Sequence, residues 1–280
     1  MITLSPMTQL YRVLCVFLAV LLTAPLSAEA QQVDDTQDEP SPMFAQITYM
    51  EVKPEQAAEY ISVERELWKP IHEELANDGN ILSWSLYAVR FPGGTGHDYN
   101  YVTVTFFESP ADVENLDYPT YAERAHPDKN VNTLIERTYD ARNAVRSELW
   151  ARLDEVAPEA PPSEPPPFIR LDYMKVPPGG AGDYQNLEQN MWKPVHRARL
   201  DAEAITDWEL WQMTLPGGTS QPYNYATVTG YQSMADMPGY PDGVWNEVHP
   251  DKNLDEIAQQ TYEARDLVQT ELWTLIDSVP

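Results

Sequence analysis

Short stretches in which apolar and polar side chains alternate are the first regular pattern along the chain. The alternation covers residues 44–52, 81–90 and 99–107, and this period is typical of a strand with one buried face. Between the first two stretches, from Pro54 to Asn77, apolar residues recur three and four positions apart, which predicts an amphipathic helix. Pro70 lies inside that helix and is expected to kink or restart it, because proline has no backbone N–H.

A second helix is predicted to begin near Asp128 or Asn130 and to carry apolar residues at helical spacing as far as Val145. The segment that follows, residues 147–153, and its counterpart at 270–276 fit either a continuing helix or an alternating strand. We assign a strand, because a β-α-β-β-α order lacks only one strand of the split βαβ motif. The expected unit is therefore β-α-β-β-α-β.

The whole pattern occurs twice. The stretch FAQITYMEVKP from Phe44 returns from Phe168 as FIRLDYMKVPP at an offset of 124 residues, and HPDKN of 126–130 returns at 249–253 at an offset of 123. A repeat of this length is a copied domain, since solenoid units are much shorter. The sequence therefore predicts an α+β protein with two tandem ferredoxin-like repeats, at residues 44–156 and 168–280.

The segments outside the repeats have different compositions. In residues 1–30, Arg12 precedes a short apolar run at Val13–Leu22, and Ala28-Glu29-Ala30 later offers small residues for cleavage. This predicts a cleaved signal peptide and a periplasmic or secreted protein. Residues 31–43 are acidic and without periodicity, so they are expected to be disordered. Residues 157–167 (APEAPPSEPPP) are predicted to be an extended proline-rich linker.

Charge and cysteine content exclude several classes of function. The net charge of −26 disfavours nucleic acids and anionic membrane surfaces as partners. The single cysteine, Cys15, lies within the predicted signal peptide. The mature chain is therefore expected to contain no disulfide and no thiolate nucleophile.

The repeated β-α-β-β-α-β pattern resembles the dimeric α/β-barrel superfamily, and loosely its NIPSNAP- and EthD-type members. The resemblance covers both repeats and implies that their antiparallel sheets pair into one intramolecular α/β barrel. It also implies a monomer with an internal pseudo-dimer, with further oligomerisation left open. The superfamily includes cofactor-free oxygenases, isomerases and haem proteins. No catalytic motif of any member matches, so the resemblance assigns no site residue.

The histidines are candidates for a haem or metal site that lies outside our preferred assignment. The motif Trp-Lys-Pro-x-His contains His72 and His196, and the motif His-Pro-Asp-Lys-Asn contains His126 and His249. No partner lies at metal-ligand spacing on the same helix. We therefore favour structural roles for all four histidines and expect no cofactor.

One face of each predicted sheet carries the candidate site. We expect Ala45/Ile47/Tyr49, Trp84/Leu86/Ala88 and Val102/Val104/Phe106 to pack under the helices. The opposite face then mixes aromatic and polar side chains, which resembles a pocket lining. The predicted ligand-binding residues on that face are Tyr87, Tyr101, Thr103, Trp211, Tyr225 and Thr227.

The same face is more strongly charged in the second repeat than in the first. Gln46 and Thr48 are replaced by Arg170 and Asp172, and Ser85 is replaced by Glu209. Charges that face a barrel interior are costly unless they are paired or used. We therefore predict catalytic roles for Arg170, Asp172 and Glu209 in a cavity between the two sheets. The alternative is that these residues lie at strand ends in water.

The sequence thus favours a barrel that binds a small, partly apolar or aromatic molecule. A cofactor-free isomerase or oxygenase is the enzymatic form of this hypothesis. The alternatives are a non-catalytic structural or interaction protein, and a haem or metal protein that uses the repeated histidines.

Overall fold

The computed structural model describes residues 43–94, 96–160, 162, 164–237, 240–241 and 243–280. The predicted signal peptide lies outside these residues, and so does all of the acidic lead-in except Met43. Periplasmic or secreted location therefore stays a prediction. None of the described helices is both long and apolar enough to cross a membrane.

Both repeats contain the same order of strands and helices. The strands of repeat one are β1 Phe44–Glu51, β2 Ser83–Phe91, β3 Tyr101–Phe107 and β4 Asn143–Val156. Its helices are α1 Ala57–Val63, α2 Lys69–Asn77, α3 Tyr118–Ala125 and α4 Val131–Ala141. The strands of repeat two are β5 Phe168–Lys175, β6 Asp207–Leu215, β7 Tyr225–Tyr231 and β8 Asp266–Val279. Its helices are α5 Ala181–Leu187, α6 Lys193–Asp201, α7 Val244–Val248 and α8 Leu254–Ala264.

The eight strands form one closed barrel in the order β1-β3-β2-β8-β5-β7-β6-β4. Each repeat contributes four neighbouring strands, and antiparallel pairs join the repeats at β2–β8 and β4–β6. Closure leaves no unpaired sheet edge, which is the physical advantage of a barrel. The predicted α+β class and intramolecular α/β barrel are confirmed.

The segment that fitted both a helix and a strand is a strand. Residues 147–153 belong to β4, which pairs with β1 on one side and β6 on the other, and residues 270–276 belong to β8. The predicted continuation of the preceding helix to Val145 is wrong, because α4 ends at Ala141. Hydrogen bonding on both sides of β4 outweighs the helical spacing of its apolar residues.

The proline of each Trp-Lys-Pro motif follows a π-helical segment. Glu64–Trp68 joins α1 to α2, and the N–H of Lys69 donates to the carbonyl of Glu64, five residues earlier. Glu188–Trp192 joins α5 to α6 in the same way. Pro70 supplies no N–H for the following turn. The predicted irregularity therefore takes the form of a widened turn.

The barrel interior is an apolar core that both repeats share. It includes Ala45, Ile47 and Tyr49 of β1 and their counterparts Ile169, Leu171 and Tyr173 of β5. Trp84 and Leu86 instead pack under the helices of repeat one, as predicted. The predicted orientation of β1 and β3 is wrong, because Ala45/Ile47/Tyr49 and Val102/Val104/Phe106 face the interior. Both faces of each sheet are buried, so alternation alone does not identify the helix side.

Two equivalent ion pairs connect the repeats. Lys69 Nζ contacts Asp277 Oδ1 at 2.6 Å, and Lys193 Nζ contacts Asp154 Oδ1 at 2.5 Å. Asp277 also accepts from Arg65 Nε at 2.7 Å. The lysine of each Trp-Lys-Pro motif therefore stabilises the barrel closure between a helix of one repeat and the last strand of the other.

Lys193→Met is expected to lower stability by about 1–2 kcal/mol, because it leaves the buried carboxylate of Asp154 without its cation. For a chain of this size the melting temperature would fall by roughly 2–8 °C, measurable by calorimetry. Lys69→Met is the matched control and is expected to cost less, since Arg65 still contacts Asp277. Equal losses in the two variants would contradict this account.

Candidate functional site

A cleft of about 430 Å³ lies between the outer face of the repeat-two sheet and the helices that cover it. β5 and β7 form one side, and α6 with the preceding π-helical segment forms the other. The charged and histidine side chains that line the cleft are Arg170, Asp172, Glu188, His196, Arg199 and Arg265. Its aromatic walls are Trp192, Trp208, Tyr231 and Tyr240.

The structure divides the predicted site residues of repeat two between two places. Arg170, Asp172 and Thr227 line the cleft under the helices. Glu209 and Trp211 face the barrel interior. The predicted common cavity between the sheets is therefore wrong. The strand register explains the separation, because Asp172 pairs with Thr227 on one face whereas Glu209 pairs with Val228 on the other.

The three predicted tyrosines also lie apart from one another. Tyr225 lies under the helices of repeat two, and its hydroxyl accepts from Gln185 Nε2 at 3.0 Å. Tyr101 packs with the helices of repeat one, and Thr103 shares its face by strand alternation. Tyr87 faces the barrel interior. These side chains do not meet in one pocket.

The interior cavity between the sheets is too small for the predicted ligand. Its volume is about 50 Å³, which is room for one or two water molecules. Glu209 accepts from Trp211 Nε1 at 2.9 Å and from Arg152 Nη1 at 3.3 Å. Burial, reinforced by Asp207, raises the pKa of Glu209 to about 7 in spite of Arg152. These contacts place Glu209 at the β4–β6 junction.

Arg199 is the buried cation of the cleft. It is 4% exposed, its Nη1 donates to His196 Nδ1 at 3.0 Å, and its guanidinium lies 4.4 Å from the Tyr240 ring centroid. Among the described residues no carboxylate lies within 4.0 Å of this guanidinium. Arg170 differs, since its Nη2 contacts Asp172 Oδ1 at 3.0 Å. The guanidinium of Arg199 is thus a buried positive charge that makes no ion pair with the described carboxylates, although Asp172 and Glu188 line the same cleft.

Glu188 is the buried carboxyl group of the cleft, at 4% exposure. Burial raises its pKa to about 7, although the nearby Arg265 acts in the opposite direction. Glu64 occupies the matched position of repeat one, and burial also raises its pKa to about 7. The raised pKa therefore belongs to the π-helical segment of both repeats, whereas access to an open cleft belongs to Glu188.

His196 is neutral at physiological pH. Burial and the neighbouring charge of Arg199 lower its pKa to about 3, and its ring stacks on Trp208 at a centroid distance of 4.7 Å. Because Nδ1 accepts the hydrogen bond from Arg199, the ring proton resides on Nε2. Nε2 of His196 is therefore a hydrogen-bond donor.

The hydrogen bonding of His196 does not fit a haem or metal ligand. A ligating imidazole coordinates through an unprotonated nitrogen and donates its other N–H to an acceptor, which is the reverse of the arrangement at His196. The other three candidates donate to backbone carbonyls, His126 Nε2 to Leu67, His249 Nε2 to Met191 and His72 Nδ1 to Trp68. Their hydrogen bonds alone are compatible with ligation, so the presence of further ligands nearby is decisive. The described part of the chain contains no group of three or more His, Cys, Asp or Glu side chains placed to hold a metal ion.

Repeat one has no equivalent of the charged cleft at the matched positions. Leu75 stands at the position of Arg199 and Phe107 at that of Tyr231, and both are fully buried. α3 has eight residues, whereas its counterpart α7 has five. In repeat one an apolar side chain thus replaces the buried cation of the cleft, and the neighbouring helix is longer.

Comparison of the two repeats in sequence identified Arg170 and Asp172 but missed Arg199. The signal was present in the replacement of Leu75 by Arg199 at matched helix positions. Alternation singles out strand positions, and a charge gained on the covering helix lies outside that pattern. Glu188 carried no such signal, because Glu64 is its identical counterpart.

No family model matches the chain, and no curated protein matches it. Solved structures do. A candidate monooxygenase of Fusobacterium nucleatum is 9% identical with a TM-score of 0.53, and the alignment covers 85% of this chain and 94% of that one. A candidate monooxygenase of Lactobacillus acidophilus is 12% identical with a TM-score of 0.47 over the same fractions. Likeness at this identity concerns architecture alone, and by that architecture the chain has the fold of the dimeric α/β-barrel proteins.

Proposed function

We propose that the protein binds a small organic anion with an aromatic or otherwise apolar body in the cleft of repeat two. The observation that carries this proposal is the buried guanidinium of Arg199, which has no carboxylate partner among the described residues. Burying a charge without a counter-charge is costly. The cleft is lined by three arginines and two carboxyl groups. Basic side chains therefore outnumber acidic ones there, although the protein carries a net charge of −26.

The shape and chemistry of the cleft support an amphipathic ligand. Trp192, Trp208 and Tyr240 provide apolar and aromatic surface, and pockets of this kind bind the body of a ligand while a few polar groups orient it. An arginine is well suited to the carboxylate of such a ligand, because its planar fork can donate two parallel hydrogen bonds. The Nε2–H of His196 adds a neutral donor.

The test uses 2-naphthoate and its neutral isostere 2-naphthamide, titrated into the protein by isothermal calorimetry. Naphthoate is expected to bind and naphthamide to bind at least tenfold more weakly, since hydrogen bonds to a charged group are worth about 1.5–3 kcal/mol. Arg199→Leu, which installs the residue of repeat one, is expected to abolish this preference. Arg197→Leu on the exposed side of the same helix is the control. Equal affinity for the two probes, or an unchanged preference in Arg199→Leu, would refute the proposal.

A second candidate function is proton transfer to or from the bound anion by Glu188. The observation in its favour is a carboxyl group with a pKa of about 7 on the wall of the cleft, since a general base is most effective when its pKa lies near the operating pH. A cofactor-free isomerase is the matching reaction class. Accelerated exchange of the α-protons of phenylpyruvate in D₂O, lost in Glu188→Gln while naphthoate still binds, would support it. Exchange at the uncatalysed rate would exclude this reaction for that substrate.

The loose resemblance to NIPSNAP- and EthD-type proteins stays a proposal that rests on element order and on the sequence repeat. The non-catalytic alternative makes a different prediction for the same experiments. A barrel that serves only as a structural or interaction module binds neither naphthoate nor naphthamide and accelerates no exchange. The calorimetric titration therefore separates the two classes.

A further inference from the structure

Two buried carboxylates lie at matched positions at one mouth of the barrel, away from the cleft. Glu148 of β4 and Glu271 of β8 are 5% and 1% exposed. Both line a cavity of about 350 Å³ at this mouth. A buried carboxylate needs hydrogen bonds and a counter-charge, so the partners of each can be compared directly.

Glu148 has a complete set of partners. Its Oε1 accepts from Arg146 Nε at 2.9 Å and from Tyr223 OH at 2.7 Å. Its Oε2 accepts from Tyr49 OH at 2.9 Å and from Trp150 Nε1 at 3.1 Å. Three neutral donors and one guanidinium therefore satisfy this carboxylate.

Glu271 has only neutral partners among the described residues. Its Oε1 accepts from Tyr99 OH and from Gln269 Nε2, and its Oε2 accepts from Trp273 Nε1 at 2.7 Å. Gln269 stands at the position that Arg146 occupies in repeat one. Arg146 itself makes no ion pair with Glu271 within 4.0 Å. Burial accordingly raises the pKa of the Glu271 carboxyl.

The pair of tyrosine rings that contacts the Arg146 guanidinium also occurs in both repeats. In repeat one the guanidinium lies 4.0 Å from the Tyr49 ring centroid and 4.9 Å from that of Tyr99, and these two rings are 4.7 Å apart. The matched rings, Tyr173 and Tyr223, are 4.5 Å apart. Tyrosine faces attract cations. The Arg146 guanidinium lies over the two rings of repeat one and reaches the second pair only through the Tyr223 hydroxyl, to which its Nη2 donates at 2.8 Å.

We propose that the barrel mouth binds a small organic cation, an alkylguanidinium or alkylammonium group, against Glu271 and Tyr223, which both line the mouth cavity. The ligand would occupy the position related by the pseudo-twofold axis to the guanidinium of Arg146. Gln269, which is shorter than arginine, lines the mouth cavity together with Glu271 and Tyr223. The acidic surface of the protein favours the approach of a cation. This site rests on observations independent of the anion cleft.

The test uses methylguanidinium, which reproduces the Arg146 head group, and methylurea, its neutral isostere. Both are titrated into protein labelled with ¹⁵N-tryptophan at ionic strength held constant with KCl. Methylguanidinium is expected to shift the indole N–H resonance of Trp273, assigned with Trp273→Phe, in a saturable manner with a Kd in the millimolar range. The Trp150 resonance is the internal control and is expected to move less, because Glu148 is already paired.

Two variants examine the symmetry argument. Gln269→Arg supplies the missing guanidinium from the chain and is expected to weaken methylguanidinium binding at least tenfold. Arg146→Gln makes repeat one resemble repeat two and is expected to add a second equivalent, reported by Trp150. The proposal is overturned if methylurea or KCl alone reproduces the Trp273 shift, if methylguanidinium causes none, or if folded Gln269→Arg binds as tightly as the unaltered protein.

Discussion

Repeat one expressed alone, as residues 43–156, is expected to form a homodimer. Its β2 and β4 lose their partners β8 and β6, and unpaired strand edges readily pair with another chain. Its inner sheet face would also expose Tyr49 and Trp150, which are at most 1% exposed in the intact protein. A second copy related by twofold symmetry restores both contacts at once.

The ion pairs between repeats support the same dimer. Lys69 contacts Asp277 in the intact chain, and Asp154 is the counterpart of Asp277 in repeat one. Lys69 of one copy would therefore face Asp154 of the other. Sedimentation equilibrium is expected to give twice the mass of the fragment. A stable, soluble monomer with native-like circular dichroism would contradict the requirement for sheet pairing.

The barrel could be predicted because its determinants are local and occur twice. Alternation in 44–52 and 99–107 and the helical spacing after Pro54 specify element type. The repeat then supplies the partner sheet, since each copy leaves one face uncovered. The fourth strand was ambiguous because β4 carries apolar residues compatible with both periods. Its pairing with β1 and β6 is a long-range contact that no short window of sequence contains.

The alternation of apolar and polar residues could not predict which face of each strand packs under the helices. In β1 one face carries Ala45, Ile47 and Tyr49, and the other carries residues such as Met50, all of them buried or partly buried. Alternation distinguishes the two faces of a strand but does not say which one the helices cover. That choice depends on the register of β1 against β3 and on closure of the barrel. The site residues selected by face were consequently distributed over three separate environments.

Part of the candidate site was nevertheless accessible from sequence. The replacement of uncharged residues by Arg170 and Asp172 marked repeat two as the specialised copy, and these side chains do line its cleft. Glu209 arose from the same kind of replacement but faces the other side of the sheet. A difference between the repeats thus identifies which copy has changed. Only the fold shows which environment each changed residue occupies.

The free energy of unfolding is expected to depend strongly on pH. Glu64 and Glu188 each have a pKa near 7 in the folded protein, chiefly because of burial, against about 4.3 for an exposed glutamate. Between these values the folded state holds protons that the unfolded state releases. Stability therefore falls as pH rises from about 4.5 to 7 and stays low above that range. A shift of this size corresponds to roughly 3 kcal/mol for each carboxyl group.

Glu64→Gln and Glu188→Gln are each expected to remove the share of this dependence that comes from the substituted residue, because glutamine resembles the protonated acid and cannot ionise. Glu209, whose pKa burial also raises to about 7, keeps its own share in both variants. Each variant is predicted to be more stable than the unaltered protein at pH 8, by up to roughly 3 kcal/mol, and no more stable at pH 4.5. Urea unfolding at a series of pH values measures the difference. Glu73→Gln, at an exposed position of α2, is the control for loss of a surface carboxylate. A gain that is equal at both pH values would show that the variants act through packing and that the buried carboxyl groups do not hold the proton.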